Sequence, residues 1–149
     1  MKIGVDYIGV STPFYCTDGQ GRILLHRRSK NCRDENGKWD SGAGKLEFGL
    51  TPEENVLKEV LEEYGARGKI IGRVAPCSVL REFDGVVNHW LAIPFFIQIN
   101  AEEAKNNEPE KIDELDWFTL DNMPSPLHSA FSFALKNFKD HFEKHIGKY

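Results

Sequence analysis

The stretch that decides the fold is residues 42–66, which read GAGKLEFGLTPEENVLKEVLEEYGA. It predicts a glycine-rich loop, a short extended piece and then a helix. The helix start is signalled three times: Thr51 is a good N-cap, Pro52 suits the first helical position, and Glu54 completes a capping box. Gly65 is a natural C-terminal stop. A helix is therefore predicted between Thr51 and Gly65.

Three glutamates of this helix form a cluster on one of its faces. Glu59, Glu62 and Glu63 are spaced i, i+3, i+4, which places their side chains next to one another. Such crowding is unfavourable unless a cation lies between the carboxylates, and oxygen ligands most often hold Mg²⁺. The alternative is a solvated acidic face, on which Glu54–Lys58 is the one expected i,i+4 ion pair. Taken alone, the spacing leaves both interpretations open.

The same helix carries an apolar stripe that predicts how it packs. At about 100° per residue, the three glutamates centre roughly 140° from the middle of this stripe. We therefore expect the helix to bury one face and to present its carboxylates on another. The stripe consists of Val56, Leu57, Val60, Leu61 and Tyr64.

Length and composition indicate an ordinary globular protein. The 149 residues are expected to form a single domain, 1–149, with 40% hydrophobic and 28% charged residues. A net charge of −4 argues against a nucleic-acid partner. Neither a signal peptide nor a membrane span is predicted. A reduced, cytoplasmic setting is favoured by the few, odd and widely spaced cysteines, Cys16, Cys32 and Cys77.

The rest of the chain predicts an α/β fold, with helices on both faces of a mixed sheet. The last helix is expected to be capped by Ser125, with Pro126 in its first turn, and to bury an apolar stripe. That stripe consists of Leu127, Phe131, Ala134, Leu135, Phe138 and Phe142. The predicted strands are residues 7–17, 22–27, short segments within 39–48, a long strand 69–81 bent near Pro76, 86–99 and 113–120.

Two residues outside the acidic helix have a functional and a structural interpretation. Arg28 precedes the polar loop 29–38 and is a candidate phosphate contact, although Asp34 and Glu35 could neutralise this region as a solvated loop. Trp90, near the start of a strongly apolar strand, could stack a base or simply belong to the core. For both residues the functional interpretation is supported only if other parts of the chain also indicate a phosphate-containing ligand.

The segment beginning at Gly44 resembles the Nudix box. Gly44 is followed at the family's spacing by Lys58-Glu59-Val60-Leu61-Glu62-Glu63-Tyr64-Gly65-Ala66. The order of the flanking elements is also similar, so the resemblance covers nearly the whole chain and implies an α/β/α sandwich around a mixed β-sheet. Two positions depart from the box, since Leu50 replaces its first glutamate and Lys58 replaces its arginine. Lysine keeps the charge and loses the planar fork, so looser orientation is expected.

The resemblance implies a Mg²⁺-dependent hydrolase, with Mn²⁺ as an alternative ion. Its substrates are nucleoside diphosphates linked to another group. A MutT-like cleavage of a nucleoside triphosphate to a monophosphate and pyrophosphate is favoured. The alternatives are hydrolysis of a nucleotide-sugar or ADP-ribose type diphosphate, and a catalytically weak nucleotide-binding protein. Homodimers are common in the family.

The resemblance also assigns roles to individual residues. Metal ligands would be Glu59, Glu62, Glu63 and the Gly44 carbonyl. Glu59 or Glu63 would also act on the attacking water, and Lys58 would take the place of the arginine that positions the first glutamate. A further ligand or base would come from the loop ahead of Trp117, with Glu110 preferred over Glu108. The substrate would be contacted by Arg28, by Trp90 and by backbone at Gly44.

Overall fold

The helix that follows the glycine-rich loop forms where the sequence predicts it. Helix α1 spans Pro52–Tyr64. The Thr51 hydroxyl accepts from the Glu54 N–H, and the Glu54 carboxylate accepts from the Thr51 N–H, both at 3.1 Å. At the other end Gly65 adopts a left-handed φ of 65°, and its N–H donates to Leu61. The capping box and the glycine stop are confirmed.

Nine strands make one mixed sheet in the computed structural model, which describes residues 1–147. Three helices lie against this sheet within the same residues. The strands are β1 Gly9–Thr17, β2 Arg22–Arg28, β3 Trp39–Asp40, β4 Gly42–Lys45, β5 Gly68–Arg73, β6 Cys77–Phe83, β7 Val86–Ala92, β8 Phe95–Ile99 and β9 Ile112–Thr119. After α1 come helices α2 Ser129–Asn137 and α3 Lys139–His145.

Strand β1 lies at the centre of the sheet. It pairs antiparallel with β2 and β4, and parallel with β7 and then β8 along its length. Strand β9 pairs with β2, while β5 pairs with β8 and β6 with β7. Strand β4 therefore holds the glycine-rich loop directly against the central strand, beside α1.

Neighbouring residues of the central strands point to opposite faces of the sheet, and each face carries its own core. Phe14 and Leu24 pack with Val56, Val60 and Tyr64 of α1. The core on the other face lies under α2 and α3 and contains Tyr15, Ile23, Leu25, Phe96, Phe131 and Phe142. Helices thus cover both faces of a mixed sheet, which confirms the predicted α/β/α architecture.

Two long predicted strands, residues 69–81 and 86–99, are each divided in two. The sheet partner changes at the break, because β5 pairs with β8 whereas β6 pairs with β7. Pro94 has no N–H to donate, and its carbonyl accepts from Val74 at the break in the other strand. Strands β6 and β7 form a hairpin whose turn has positive φ at Asp84 and Gly85.

The prediction that Ser125 caps the last helix is wrong. The cap of α2 is His128, whose side chain accepts from the Ala130 N–H. The chain just before it is extended beside β3, since the Pro126 carbonyl accepts from Trp39 N–H and His128 N–H donates to the Trp39 carbonyl. A helix cannot begin while these backbone groups are paired with a strand. The predicted apolar stripe nevertheless packs on the second core.

Within the residues that the structure describes, no helix is both long enough and apolar enough to cross a membrane. Cys16, Cys32 and Cys77 are all free thiols.

Candidate active site

Helix α1 is rotated relative to the predicted orientation, so that one glutamate is buried. Glu63 is 8% exposed, whereas Leu61, expected in the buried stripe, is 48% exposed. At about 100° per residue, Glu63 lies about 60° from the fully buried Val60, and Leu61 lies about 100° away on the other side. The expectation that Leu61 is buried and that all three glutamates face away from the core is therefore wrong.

Glu63 is a buried acid without a complete set of partners. Burial raises the pKa of its carboxyl group well above the ordinary value, and the nearby Glu108, Glu59 and Asp40 raise this pKa further. Its Oε2 atom is buried and has no hydrogen-bond partner among residues 1–147. A buried polar atom in this state is costly and is commonly explained by an ion or water that completes its coordination.

Glycine at position 44 is required because Glu59 occupies the space beside it. A Cβ atom at Gly44 would collide with Cγ and Cδ of Glu59. Burial also raises the pKa of Glu59, and the charge of Glu62 adds to this shift. The Gly44 backbone and two acidic side chains of α1 thus converge on one small region.

A buried polar chain fixes the glycine-rich loop to α1. Asn55 donates from Nδ2 to the Thr12 hydroxyl at 2.9 Å, and the Thr12 hydroxyl donates to the Gly44 carbonyl at 3.4 Å. The Asn55 side-chain oxygen accepts from Glu47 N–H at 3.1 Å. The sequence signal for this contact is an asparagine inside an otherwise apolar face of the helix, and it was not recognised.

The loop after β8 packs on the C-terminal end of α1 and carries another acid to the site. Lys105 N–H donates to the Tyr64 carbonyl at 2.9 Å, and Asn107 N–H donates to the Glu63 carbonyl at 3.1 Å. These bonds satisfy carbonyls that the end of a helix leaves unpaired. They also place the next residue, Glu108, close enough to raise the pKa values of both Glu63 and Glu59.

Glu110, the preferred acid of this loop in the sequence-based prediction, is held in a different way. It is exposed, and its backbone carbonyl accepts from the Ser29 hydroxyl at 2.6 Å and from Asn31 Nδ2 at 2.9 Å. The contacts of the described residues therefore bring Glu108, the second choice, to the acidic cluster. A role for Glu110 stays a prediction.

The ion pairs of Lys58 differ from those expected. Lys58 Nζ lies 2.6 Å from a Glu47 carboxylate oxygen and 3.2 Å from Glu62. The predicted Glu54–Lys58 pair is wrong, since the Glu54 carboxylate caps the helix at Thr51. Lys58 thus links the glycine-rich loop to the exposed glutamate of the trio. Because all three charges are partly exposed, this link orients side chains more than it stabilises the fold.

A cavity of about 600 Å³ is connected to the acidic cluster by Asp40, which lines the cavity and whose charge raises the pKa of Glu63. Both Arg28 and Trp90 line it, together with backbone at Gly42 and Ala43. The structure therefore brings two predicted substrate contacts into one cavity. The indole of Trp90 lies against glycine backbone, since a Cβ atom at Gly9 would approach its ring carbons to 2.5–2.7 Å. Trp90 therefore packs against the protein backbone and also lines the cavity, so its structural and functional interpretations are compatible.

A network of charged side chains closes one end of this cavity. Arg28 donates to the Asp34 carboxylate at 2.9 Å, and its guanidinium lies 3.7 Å from Asp40. Burial raises the pKa of Asp40 to about 7, although the charge of Arg28 opposes this shift. Asp40 was not recognised in the sequence, because no local pattern separates it from other polar residues of a short strand.

Asp34, Glu35 and His128 offer ligand atoms within 4.8 Å of one another. We interpret this group as an ion-pair network and not as a metal site, because the carboxylate of Glu35 is already surrounded by hydrogen-bond donors. Glu35 accepts from Ser129 N–H at 2.9 Å and lies within 3.2 Å of Lys38, Arg81 and His128. These donors hold the pKa of Glu35 at about 2 against the opposing effect of burial.

The acidic cluster on α1 fits a divalent cation better. It combines the unpaired Oε2 of Glu63 with the neighbouring carboxylates of Glu59 and Glu108, beside backbone at Gly44 that has no side chain to displace Glu59. All of these donors are hard oxygen atoms, the ligand type of Mg²⁺.

The comparisons with known proteins agree with this arrangement. The NUDIX domain pattern matches residues 8–141. The chain is 25% identical over 124 residues to the RNA pyrophosphohydrolase of Gluconacetobacter diazotrophicus, an alignment that covers 72% of this chain and 74% of the relative.

Two solved structures are similar over most of their length. The MutT NUDIX hydrolase from Burkholderia pseudomallei superposes with a TM-score of 0.69 at 29% identity, covering 86% of this chain and 95% of that one. The MutT protein from Methanosarcina mazei Go1 superposes with a TM-score of 0.69 at 26% identity, covering 90% and 94%.

The fold and the carboxylate cluster define a hydrolase of the α/β/α sandwich class, and the chain belongs to the Nudix family. It is a pyrophosphohydrolase that acts on diphosphate-linked substrates.

Proposed function

We propose that this enzyme hydrolyses a nucleoside triphosphate to a nucleoside monophosphate and pyrophosphate, with Mg²⁺ as its metal. The observation that carries the metal is the buried, unpartnered Oε2 of Glu63 beside Glu59 and Glu108. The observation that favours a nucleotide is the adjoining cavity, which is lined by aromatic rings and by Arg28. A triphosphate would lie across the carboxylates with its base in this cavity.

The chain's own residues would hold the ion and position the reactants. Bound Mg²⁺ would neutralise the anhydride and lower the pKa of the attacking water. Glu59, Glu62, Glu63 and Glu108 are the carboxylates available to hold it, together with the Gly44 carbonyl. The water oxygen forms a bond to phosphorus as the anhydride bond to pyrophosphate breaks. Glu59 and Glu63 are the groups placed to take up the proton that the water loses.

Two further assignments of the sequence-based prediction are retained as proposals, and that of Lys58 is changed. Lys58 was expected to position Glu59, but its two short contacts favour a role in positioning Glu62 and the loop at Glu47. Arg28 would contact a phosphate once substrate enters the cavity that it lines, and Glu110 would serve as an additional acid. A homodimer is likewise proposed on the family resemblance alone.

Replacement of Glu63 tests the metal site. Glu63→Gln should lower turnover of the best triphosphate about 100-fold or more, because it removes a ligand and a proton acceptor. Pyrophosphate release measures this effect across ATP, GTP, CTP and UTP. The panel also contains ADP-ribose, a nucleotide sugar and a 5′-triphosphorylated RNA, the last because one relative is an RNA pyrophosphohydrolase. Cleavage of ADP-ribose and of the nucleotide sugar releases no pyrophosphate and is followed by chromatography of the nucleoside monophosphate product.

The control is Glu53→Gln on the same helix, whose carboxylate lies 3.9 Å from exposed Arg73 and outside the cluster. It should leave turnover close to wild type. Thermal melting supplies a second readout, since Mg²⁺ should raise the Tm of the wild type and of Glu53→Gln but not of Glu63→Gln. Full activity of Glu63→Gln would contradict the metal site, and exclusive cleavage of ADP-ribose or a nucleotide sugar would contradict the triphosphate.

A further inference from the structure

The cavity beside the acidic cluster has a second chemical feature, and its interpretation rests on the proposed hydrolysis of nucleotides. Asp40 and Gly44 are four residues apart on β3 and β4, so at most about 14 Å of extended chain joins them. Gly44 touches Glu59 at the acidic cluster, and Asp40 lines the cavity. A nucleotide whose phosphates lie at Glu59 would therefore bring its base close to Asp40.

Asp40 is a cavity-lining carboxylate that is only loosely engaged. Its side chain is 15% exposed, and its nearest charged neighbours are Arg28 at 3.7 Å and His128 at 3.8 Å. Both separations exceed the length of a normal hydrogen bond. Asp40 accepts one hydrogen bond from the backbone of Ser41. Since a carboxylate has about four acceptor positions, most of its capacity remains for a ligand.

The other two acids near this cavity each have at least one carboxylate oxygen paired with an arginine. Asp34 accepts from the Arg28 guanidinium at 2.9 Å through Oδ1, while its Oδ2 is buried and has no hydrogen-bond partner among residues 1–147. Glu35 accepts from Ser129 and lies 2.9 Å from both Arg81 and His128. Asp40 differs from both because no charged side chain lies within hydrogen-bond distance of its carboxylate, so its two oxygens can accept together from one ligand.

The walls of the cavity suit a flat aromatic ligand. The guanidinium groups of Arg33 and Arg81 lie 5.7 Å and 5.6 Å from the ring centre of Phe83. Trp90 lines the same cavity and is braced by the backbone of Gly9. Aromatic rings and guanidinium planes are the groups on which nucleobases stack.

We propose that Asp40 selects guanine as the base of the substrate. Guanine presents two neighbouring donors, its N1–H and its exocyclic amino group, which match the two oxygens of one carboxylate. Inosine lacks the amino group, and adenine presents an acceptor where guanine has N1–H. Asp40 would thus contact the base directly, as a residue that determines specificity.

The test compares GTP, ITP and ATP with wild-type enzyme and with Asp40→Asn. Assays are run at pH 8.5, above the pKa of about 7 that burial gives Asp40. Wild type should prefer GTP over ITP by about tenfold or more in kcat/KM, as expected for a bidentate contact. Asp40→Asn should remove this preference and should not weaken ATP, because an amide can donate to adenine N1 and accept from its amino group.

Asp34→Asn is the matched control, since it makes the same chemical change at the acid of the cavity that is hydrogen-bonded to Arg28. It should leave the ratio of GTP to ITP unchanged, whatever its effect on the absolute rates. Thermal melting of both variants verifies that they are folded. Equal losses for all three nucleotides in Asp40→Asn would overturn the proposed selectivity and would indicate a structural role for the pair with Arg28.

Calorimetry with GMP and IMP, in the absence of metal, separates this inference from the proposed hydrolysis. Tighter binding of GMP by about tenfold, lost in Asp40→Asn, would support the guanine site even if no triphosphate were cleaved. Cleavage of all triphosphates at similar rates, with GMP and IMP bound equally, would leave the hydrolysis standing and refute the role of Asp40.

Discussion

The fine geometry of the candidate site depends on glycine at position 44. A methyl group there would collide with the Glu59 side chain, whereas the same change at Gly42 would collide with the ring of Phe14. Gly44→Ala should therefore displace Glu59 and lower turnover, with little change in the free energy of unfolding. Gly42→Ala should destabilise the fold by about 1–3 kcal/mol, because it overpacks the core.

Urea denaturation and steady-state kinetics on both variants check this pair of outcomes. Wild-type turnover in a folded Gly44→Ala protein would show that the position of Glu59 does not limit the reaction.

At the scale of single residues, the sequence predicts which side chains form the site better than it predicts how deeply each is buried and what it contacts. The spacing of Glu59, Glu62 and Glu63 predicts their clustering, and the structure confirms that they adjoin one another on α1. It does not predict that Glu63 is buried, because this depends on which arc of the helix meets the sheet. The contact between Glu108 and Glu63 is also invisible in the sequence, since it is made by backbone hydrogen bonds of a folded loop.

At the scale of elements, α1 and the loop before it act as one unit through Lys58. The two departures from the Nudix box lie in this unit, at Leu50 and Lys58. An arginine fork can hold Glu47 and Glu62 in fixed geometry, where the lysine ammonium is a single point of contact. The double variant Leu50→Glu, Lys58→Arg should also restore a carboxylate at the rim of the site. We expect its kcat/KM to rise by up to about fivefold.

Steady-state assays of the double variant and of Lys58→Arg alone measure the two contributions. A rate equal to that of the wild type in both would mean that neither departure limits turnover on the substrate used.

Element boundaries show what local sequence can and cannot predict. The start and end of α1 were predicted because the capping signals act within a few residues of one another. The breaks in the two long strands and the late start of α2 were missed because distant partners impose them. The backbone of Trp39 is hydrogen-bonded to Pro126 and His128. The residues around Ser125 carry no local pattern that predicts this contact.

At the scale of the whole molecule, the sheet separates two cores and also buries ionisable groups. His26 of β2 is 6% exposed, and its Nδ1 lies 2.7 Å from the Tyr64 hydroxyl. Burial lowers the pKa of His26 to about 4, and the charges of Arg28 and His128 act in the same direction. The ring is therefore neutral at pH 7, and its hydrogen bond with the tyrosine hydroxyl ties β2 to the end of α1.

This buried histidine makes stability depend on pH with a definite sign. Between pH 6.5 and about pH 4 the unfolded chain binds a proton at His26 that the folded protein does not. Its contribution to stability is complete above pH 6.5 and falls by about 1.4 kcal/mol per pH unit below it, roughly 3 kcal/mol in all. Asp40 and Glu63, whose pKa values are raised, contribute with the opposite sign.

The difference between wild type and His26→Gln isolates the histidine, because the acids are common to both proteins. Glutamine does not titrate, and its amide can either donate to or accept from the Tyr64 hydroxyl. Urea denaturation at pH 4.5, 5.5 and 6.5 should show the variant losing about 1.4 kcal/mol less per pH unit than the wild type. Parallel stability profiles would mean that His26 takes up its proton in the folded protein, and that the contact with Tyr64 does not depend on a neutral ring.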